Sequence, residues 1–462
     1  MTEVNIIPFK KTPIGTIDIY DVTYDELKRY IFFIETLFIQ YGGKGLETPM
    51  FEIRENLLSK YGEEAENLLI YNLVDTNNDD SSNATTNSNT REKYTLRYDL
   101  TIPKVRHIVS NNIIKDRIYS IGKVFRRDNP SLGRYREFYQ ADFDIIGESN
   151  TSMINEYLLF KMIKQFMTQL NMAKLNMTQL NMAQLNMTQL TIDYKIYINF
   201  TQNLKWILID QLKCDVSMFK KICSTIDKLD KCNFTDLINE FKQKGLDDEQ
   251  IILLKTLLFE SSEPRDTESN NLFKKLINLI NLDTELPNKV IFCPTLARGL
   301  DYYEGIIYEV KIISSQLDTS PSIISGGRYD NLIPNTTLIG LSFGLSRIIS
   351  IMNRLVEKTS IYSLSSQVNF VWKEQYYLSS MKGIKLEDKI KYWNLLEKRF
   401  NQQIIIADEE QDKKLIKVIT YCVTNGIKYL YVLAPDELKN GQIIMKNLMD
   451  KTQVLIDIGV FI

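Results

Sequence analysis

The residues best suited to chemistry lie between Phe125 and Gly147, where the chain reads FRRDNPSLGRYREFYQADFDIIG. Alternation with a period of two residues predicts two strands joined by a hairpin loop, the second strand having one apolar and one polar face. The apolar face carries Tyr139, Ala141, Phe143 and Ile145. The polar face carries Phe138, Gln140, Asp142 and Asp144. One face is therefore ordinary core, and the other sets a ring beside an amide and two carboxylates.

Arginines flank the hairpin loop, with Arg126 and Arg127 before it and Arg134 and Arg136 after it. An aromatic ring can stack on a base and guanidinium groups can bind phosphate, so this arrangement suits a nucleotide. A surface hairpin with paired charges is the alternative for any one of these residues. A second segment with similar chemistry, ARGLDYYEG, contains Arg298 and the pair Tyr302–Tyr303 and favours the nucleotide site.

Length, charge and cysteine usage narrow the class of protein. A chain of 462 residues can hold two or three domains, and its net charge of −2 gives no overall basic field, so a polyanion would bind to local patches. No apolar run approaches the ~20 residues of a membrane span, and the N-terminus resembles neither a signal nor a transit peptide. Five cysteines without a C-x-x-C pair and a single histidine, His107, favour a reducing cytoplasmic location and disfavour a zinc or histidine-based centre.

Further elements can be predicted around these segments. Residues 23–41 form an amphipathic helix, and LRYDLTIP at 96–103 forms a short strand with Arg97, Asp99 and Thr101 on one face. The polar run at 77–90 is a loop. A five-residue repeat at 167–190 lies in a helical stretch and is best explained as a repeat expansion, with a partner-binding helix as the alternative. We expect its removal to leave function intact.

Two larger divisions follow from composition. Residues 1–355 form one domain with a helical insertion at about 195–290, and strand patterns return at KVIFCP, GIIYEVKI and SIISGG. After a polar linker at 357–367, apolar strands alternate with helices, beginning with VNFVW at 368–372. This alternation predicts a separate α/β domain with a mixed sheet at 366–462.

Several segments together resemble the class II aminoacyl-tRNA synthetases, and within them the histidyl-tRNA synthetases of the eukaryotic cytosolic type. They are LRYDLT at 96–101, the hairpin 125–147, LARGLDYY at 296–303, GGRYDNL at 326–332 and GLSFGLSRI at 340–348. The resemblance implies an α+β fold: a catalytic domain with an antiparallel sheet flanked by helices, and a C-terminal anticodon-binding domain. It also implies a cytoplasmic homodimer with residues 23–52 at the interface.

The resemblance further implies ATP-dependent activation of L-histidine to histidyl-adenylate and transfer to the 3′ end of tRNA(His), with Mg²⁺ accompanying ATP. Two anions must then be held together, so electrostatic stabilisation should dominate. By resemblance, Arg126 binds the α-phosphate, Arg347 the γ-phosphate, and Phe138 stacks on adenine. Arg298 supplies a fixed positive charge at the reacting groups.

The histidine and tRNA contacts are likewise implied by the resemblance. The imidazole partners are Asp144, Tyr302 and Tyr303, and the partners of the α-amino and carboxylate groups are Asp99, Thr101 and Gln140. The loop residues expected at the tRNA acceptor end are Arg127, Asn129 and Arg134. One departure is Ser346, which stands where motif 3 of the family usually has glutamate.

Two other functions remain open. The first is a non-catalytic regulatory or sensing module that keeps the fold of a histidyl-tRNA synthetase. The retained Arg126, Arg298 and Arg347 argue against it. The second is a class II synthetase for another amino acid, which is opposed mainly by the segment ARGLDYY.

Overall fold

The computed structural model describes residues 12–20, 22–61, 70–73, 94–131, 133–148, 152–185, 192–300, 302–314, 317, 321–357, 376–400, 404–407, 414–424 and 427–458. The predicted loop at 77–90 and the predicted strand at 368–372 lie outside these residues. The strands are β1 (Lys44–Gly45), β2 (Phe51–Ile53), β3 (Asn72–Leu73), β4 (Tyr94–Leu96), β5 (Asp116–Phe125), β6 (Glu137–Ile146), β7 (Asp193–Phe200), β8 (Val290–Phe292), β9 (Ile306–Ile313), β10 (Ser322–Arg328), β11 (Leu338–Gly344), β12 (Tyr376–Ser380), β13 (Ile404–Ile406), β14 (Tyr429–Leu433), β15 (Gln442–Asn447) and β16 (Thr452–Asp457).

The helices of the same residues are α1 (Val22–Gln40), α2 (Arg54–Tyr61), α3 (Thr101–Ser110), α4 (Ile154–Leu185), α5 (Thr201–Lys205), α6 (Phe219–Ile226), α7 (Phe234–Gln243), α8 (Asp248–Phe259), α9 (Thr267–Ile280), α10 (Leu345–Glu357), α11 (Leu386–Phe400), α12 (Leu415–Thr424) and α13 (Pro435–Lys439). A π-helical turn follows α5 at Trp206–Gln211, and a 3₁₀ turn follows α6 at Asp227–Asp230. Within the described part of the chain, no helix is both long and apolar enough to cross a bilayer.

The main sheet combines eight strands among the described residues, in the order β1-β5-β6-β11-β10-β9-β7-β8. In this order the six strands β5, β6, β11, β10, β9 and β7 each run antiparallel to the next, as expected. The short edge strands β1 and β8 run parallel to their neighbours. The sheet is therefore mixed, and helices flank it, which confirms the α+β fold class.

One face of this sheet is the hydrophobic core. The alternating residues Ala141, Phe143 and Ile145 of β6 are buried there with side chains from α1 and α4. Phe38 of α1 contacts the Phe143 and Phe343 rings at centroid distances of 5.3 and 5.7 Å. Because helices occupy this face, the polar side chains of β6 point to the opposite face, as the alternation predicted.

The prediction of a strand at 96–103 is wrong for every residue after Leu96. Strand β4 ends at Leu96 and helix α3 begins at Thr101. Between them, Asp99 Oδ1 accepts hydrogen bonds from the backbone N–H groups of Thr101 and Ile102, both at 3.0 Å. A carboxylate at this position satisfies amides that the first helical turn leaves unpaired.

Helices α5 to α8 form a subdomain with its own core, in which Leu204, Ile222, Phe241 and Leu254 are fully buried. The expected insertion at 195–290 is broader than this subdomain. It begins inside β7, a strand of the main sheet, and it includes α9, whose Leu276 packs in the main core.

The C-terminal sheet has the order β13-β12-β14-β15-β16 among the described residues. Strand β12 runs parallel to β13 and β14, and the remaining pairs are antiparallel, so this sheet is mixed, as predicted. Helix α11 joins it to the main domain: Trp393 packs edge-to-face on Tyr157 of α4, and Lys161 forms a 2.6 Å ion pair with Glu397.

Candidate active site

The polar face of the main sheet has a floor of small residues. Gly340, Ser342 and Gly344 of β11 alternate with the buried Leu341 and Phe343, so they lie on the face away from the core. In register, Ser342 is paired with Asp142 of β6 and with Ser325 of β10, and Gly340 is paired with Asp144 and Gly327. We call this surface, from Phe138–Asp144 across β11 and β10 to Glu309 of β9, the site face. Its small floor residues let neighbouring side chains pack close to the backbone, with Asp144 over Gly340 and Tyr303 over Gly327.

Two acceptor atoms of β6 on the site face have no hydrogen-bond partner among the described residues. The Gln140 side-chain amide donates to Ser342 Oγ at 3.1 Å. Its Oε1 and the Oδ1 of Asp142 are buried, and neither accepts a hydrogen bond within the described part of the chain. Burial raises the pKa of Asp142 to about 6, opposed by Lys104 and assisted by Asp144. Buried acceptors without partners indicate a place where a ligand donor binds.

Asp142 was not among the predicted site residues, although the alternation placed it between Gln140 and Asp144. The period-two pattern was the available signal, since any ligand that contacts both neighbours passes over residue 142. Sequence alone did not indicate that its Oδ1 would be buried and unpaired.

Asp144 and the tyrosine pair lie together at one end of the site face. Asp144 forms an ion pair with Lys104 and accepts a hydrogen bond from the Tyr329 hydroxyl. The Tyr302 and Tyr303 rings are 4.3 Å apart, and both also contact the Tyr329 ring. Burial, with the nearby carboxylates of Asp142 and Asp144, raises the pKa of Tyr303. The predicted imidazole partners are therefore neighbours.

Arg126 lies beside Phe138 and Tyr98. Its Nε–H donates to the Tyr98 carbonyl at 3.0 Å. The guanidinium carbon lies 4.3 Å from the Tyr98 ring centroid and 5.3 Å from the Phe138 ring centroid. These cation–π contacts hold the charge at the edge of the site face.

Arg298 is surrounded by carboxylates from two parts of the chain. It forms ion pairs with Glu309 of β9 at 2.7 Å, and with Asp227 at 3.1 Å and Asp230 at 3.4 Å in the helical subdomain. Burial opposes its charge, but the three carboxylates together raise the pKa of Arg298. Glu309 lies in register with Ser325, so Arg298 is anchored on the site face.

Arg347 lies in the first turn of α10, where its Nη1 donates to the Ser322 carbonyl at 3.1 Å. Burial lowers the pKa of Arg347, and the neighbouring charges of Arg134 and Arg298 lower it further. The guanidinium groups of Arg134, Arg298 and Arg347 are therefore close enough to interact near the end of β11. Such a cluster of cations favours the binding of an anion.

A family model described as "Histidyl-tRNA synthetase" matches residues 24–348, which is most of the chain. The chain belongs to the histidyl-tRNA synthetase family. Its family places it among the aminoacyl-tRNA ligases, and membership implies use of ATP, histidine and tRNA.

Individual relatives agree with this assignment. The "Histidine--tRNA ligase, cytoplasmic" of Takifugu rubripes is 30% identical, over 96% of this chain and 85% of its own. The "Probable histidine--tRNA ligase, cytoplasmic" of Vairimorpha ceranae is 31% identical, over 93% of this chain and 94% of its own. A relative from Oryza sativa is 30% identical over 98% of this chain, which spans 54% of that longer protein. The histidyl-tRNA synthetase structure from Nostoc sp. shares the fold, with a TM-score of 0.57 at 20% identity, covering 97% of both chains.

The hairpin loop of this histidyl-tRNA synthetase family member packs against α10. Arg127 and Asn129 are exposed, and Arg134 forms a 2.9 Å ion pair with Asp128. Gly133 has a φ of +68°, and a Cβ there would lie 3.0 Å from Arg347 Cα. Ser346, in place of the usual glutamate, accepts a hydrogen bond from the Tyr139 backbone N–H at 3.0 Å and so ties α10 to β6.

Proposed function

We propose that this chain activates L-histidine with ATP to form histidyl-adenylate and transfers the histidyl group to the 3′ end of tRNA(His). One observation supports the proposal most directly: a site for a cationic group and a site for an anionic group lie on the same face of the main sheet. The unpaired acceptors of Gln140 and Asp142 suit an ammonium group, and the guanidinium groups of Arg298 and Arg347 suit phosphate. An amino acid and a triphosphate bound in this way meet above Ser342 and Ser325.

In the first step a carboxylate oxygen of histidine attacks the α-phosphorus of ATP. A new oxygen–phosphorus bond forms, the bond to the bridging oxygen breaks, and pyrophosphate leaves with the electron pair. Arg126 and Arg298 neutralise the two reacting anions and Arg347 holds the γ-phosphate, with Phe138 under the adenine. Mg²⁺ would accompany ATP and supply further positive charge to its phosphates. Since Arg298 already contacts three carboxylates, phosphate would replace Asp227 or Asp230 at its exposed side.

Histidine itself would lie along β6. Asp99, Thr101 and Gln140 bind its α-amino and carboxylate groups, and we add Asp142 to this set. Asp144, Tyr302 and Tyr303 bind the ring. A site with partners for both ring nitrogens rejects amino acids that lack them, because its buried polar groups would then stay unpaired.

In the second step a hydroxyl of the terminal tRNA ribose attacks the histidyl carbonyl carbon, and AMP leaves. Arg127, Asn129 and Arg134 would approach the acceptor end, because the first two are exposed and the third lies next to Arg347. Residues 366–462 would bind the anticodon.

The proposal also covers the oligomeric state and the cellular location of the protein. Residues 23–52 would form a homodimer interface, which the half-exposed side chains of Met50 and Phe51 support. The protein would act in the cytoplasm.

ATP–pyrophosphate exchange with each of the twenty amino acids tests this proposal. We expect exchange with histidine alone. Exchange with a different amino acid would indicate a class II synthetase of another specificity. No exchange with any of them, from folded protein, would favour a regulatory or sensing module.

A further inference from the structure

Lys104 is a buried cation next to the histidine-binding residues. It lies in the first turns of α3, and only 1% of the residue is exposed. Its Nζ forms an ion pair with Asp144, whose other oxygen accepts from Tyr329. An ammonium group is rarely buried unless a carboxylate compensates it, so Lys104 and Asp144 form a neutral unit.

Two glycines lie against this unit and against the Tyr303 ring. A Cβ on Gly340 would lie 1.9 Å from Asp144 Oδ1, and a Cβ on Gly327 would lie 2.9 Å from the Tyr303 ring. Because Gly327 and Gly340 are paired in register, Asp144 and Tyr303 lie against adjacent positions of the floor. We call the region bounded by these four residues, where the imidazole would lie under the proposed function, the ring pocket.

The other end of the histidine would lie on the next site-face position of β6. Residues two apart on a strand are separated by about 7 Å, which is comparable to the length of histidine from its α-nitrogen to the far ring nitrogen. An ammonium at Gln140 and Asp142 therefore places the imidazole in the ring pocket, beside Asp144.

We propose that Lys104 determines which protonation state of the substrate ring is accepted, so that the ring pocket selects neutral imidazole over imidazolium. This inference rests on the proposed function. Lys104 already compensates Asp144 and the substrate ammonium would compensate Asp142, so a positively charged ring would meet the Lys104 ammonium without a free counter-charge. A neutral ring needs no counter-charge, and its N–H can still donate to the carboxylate.

Other titratable or charged groups surround the Lys104–Asp144 unit. They are Asp99 before α3, Arg97 in the same segment, Asp142 on β6, Tyr302 and Tyr303, Tyr308 on β9, and Tyr329. Burial raises the pKa of Tyr303 and Tyr329, so these hydroxyls stay neutral at physiological pH. Asp142 and Asp99 also act on Tyr303, and Asp142 interacts with Lys104. Under the proposed function both carboxylates pair with the substrate ammonium, so Lys104 is the cation that faces Asp144.

The test uses two substrates that share the ammonium end and differ in the ring. Histidine has a ring pKa of about 6.5, whereas the ring of 1,2,4-triazolylalanine stays neutral across the range tested. KM for each is measured by pyrophosphate exchange between pH 7.5 and 5.5 with the full-length protein. Titration of Asp142 affects both substrates, so the ratio of the two KM values isolates protonation of the ring.

For the wild type we expect this ratio to rise about tenfold for each pH unit below the ring pKa. In Lys104→Met the ring pocket gains a net negative charge, so the ratio should become flat or fall. The matched control is Lys161→Met, which removes another buried lysine from an ion pair, with Glu397, away from the site face. It should keep the wild-type slope.

A wild-type ratio that does not change with pH overturns the inference, and this holds even if Lys104→Met does not fold. An unchanged slope in a folded Lys104→Met variant also overturns it. The failure of the proposed function looks different, because the wild type would then exchange with neither substrate.

Discussion

The carboxylate of Asp144 occupies the volume that a side chain at residue 340 would need. The two residues face each other in the pairing of β6 with β11, and a Cβ on Gly340 would lie 1.9 Å from Asp144 Oδ1. No real Cβ contact is that short, so the absence of a side chain at 340 keeps Asp144 in position.

The substitution Gly340→Ala should therefore displace Asp144 and weaken histidine binding. We expect KM for histidine to rise at least about tenfold, the effect of losing one charge-assisted hydrogen bond, with a smaller change in KM for ATP. The control is Gly344→Ala on the same strand, where the added Cβ would lie 3.6 Å from its nearest neighbour, the Ile323 carbonyl oxygen, which is an ordinary van der Waals distance. Equal KM values for histidine in the two variants would contradict this role of Gly340.

Arg298→Ala should abolish histidine activation without unfolding the protein. A preorganised charge beside the reacting phosphate typically contributes ~10²–10³ in rate, and pyrophosphate exchange measures the loss. The fold should survive because Glu309, which is buried, keeps its 2.7 Å ion pair with Lys311. Lys228→Ala, which removes a 2.7 Å ion pair with Glu240 in the helical subdomain, is the control. Normal exchange by Arg298→Ala would show that the catalytic assignment is wrong.

Asp142→Asn should stabilise the fold while it weakens histidine binding. Burial raises the pKa of Asp142 from 3.8 to about 6, so the folded protein binds the proton more tightly than the unfolded chain. The associated stability is present below pH 3.8 and is lost as pH rises to about 6. Two pKa units correspond to about 3 kcal/mol. The free energy of unfolding of the variant should therefore exceed that of the wild type by about that amount at pH 7.5, and by about half of it at pH 5.

Urea unfolding at pH 7.5 and 5 measures these free energies, and pyrophosphate exchange measures KM for histidine. Equal stability of the two proteins at pH 7.5 would contradict the raised pKa. An unchanged KM would instead remove Asp142 from the histidine site.

The sequence predicted the site where local periodicity determines it. The alternation along 138–145 gave both faces of β6, and GIIYEVKI and SIISGG gave neighbouring strands. The same alternation predicted a strand around Asp99, and that prediction was wrong. Polar side chains at every second position of a short segment fit a strand and the loop before a helix equally well. Helix α3 uses that carboxylate at its start.

The partners of the charged residues could not be predicted, because they come from distant segments. Arg298 and Asp227 are 71 residues apart, and Lys104 and Asp144 are 40 residues apart. No periodicity relates such pairs, and only the assembled sheet and subdomain bring them together. Long-range pairing of this kind also decides that Lys104, otherwise an ordinary helix residue, lies next to the site.

The final prediction concerns the five-residue repeat, for which the structure changes the bounds of the segment that can be removed. Removal of 167–190 was expected to leave function intact, but Met167 and Leu170 are buried in the main core. Asn171 then exchanges two hydrogen bonds with the backbone of Ile192, at 2.8 and 3.1 Å, so the chain ends on either side of 172–191 lie together.

Residues 172–191 should therefore be replaceable by a linker of about four Gly and Ser residues, each spanning up to ~3.5 Å, with unchanged aminoacylation and thermal stability. The control deletion, 167–191 with the same linker, also removes Met167 and Leu170. Loss of two buried side chains should lower the free energy of unfolding by several kcal/mol, about 2–5 for each. Thermal unfolding followed by circular dichroism compares the two deletions. Loss of charging by the shorter deletion, with its stability intact, would instead give the repeat a function in binding a partner.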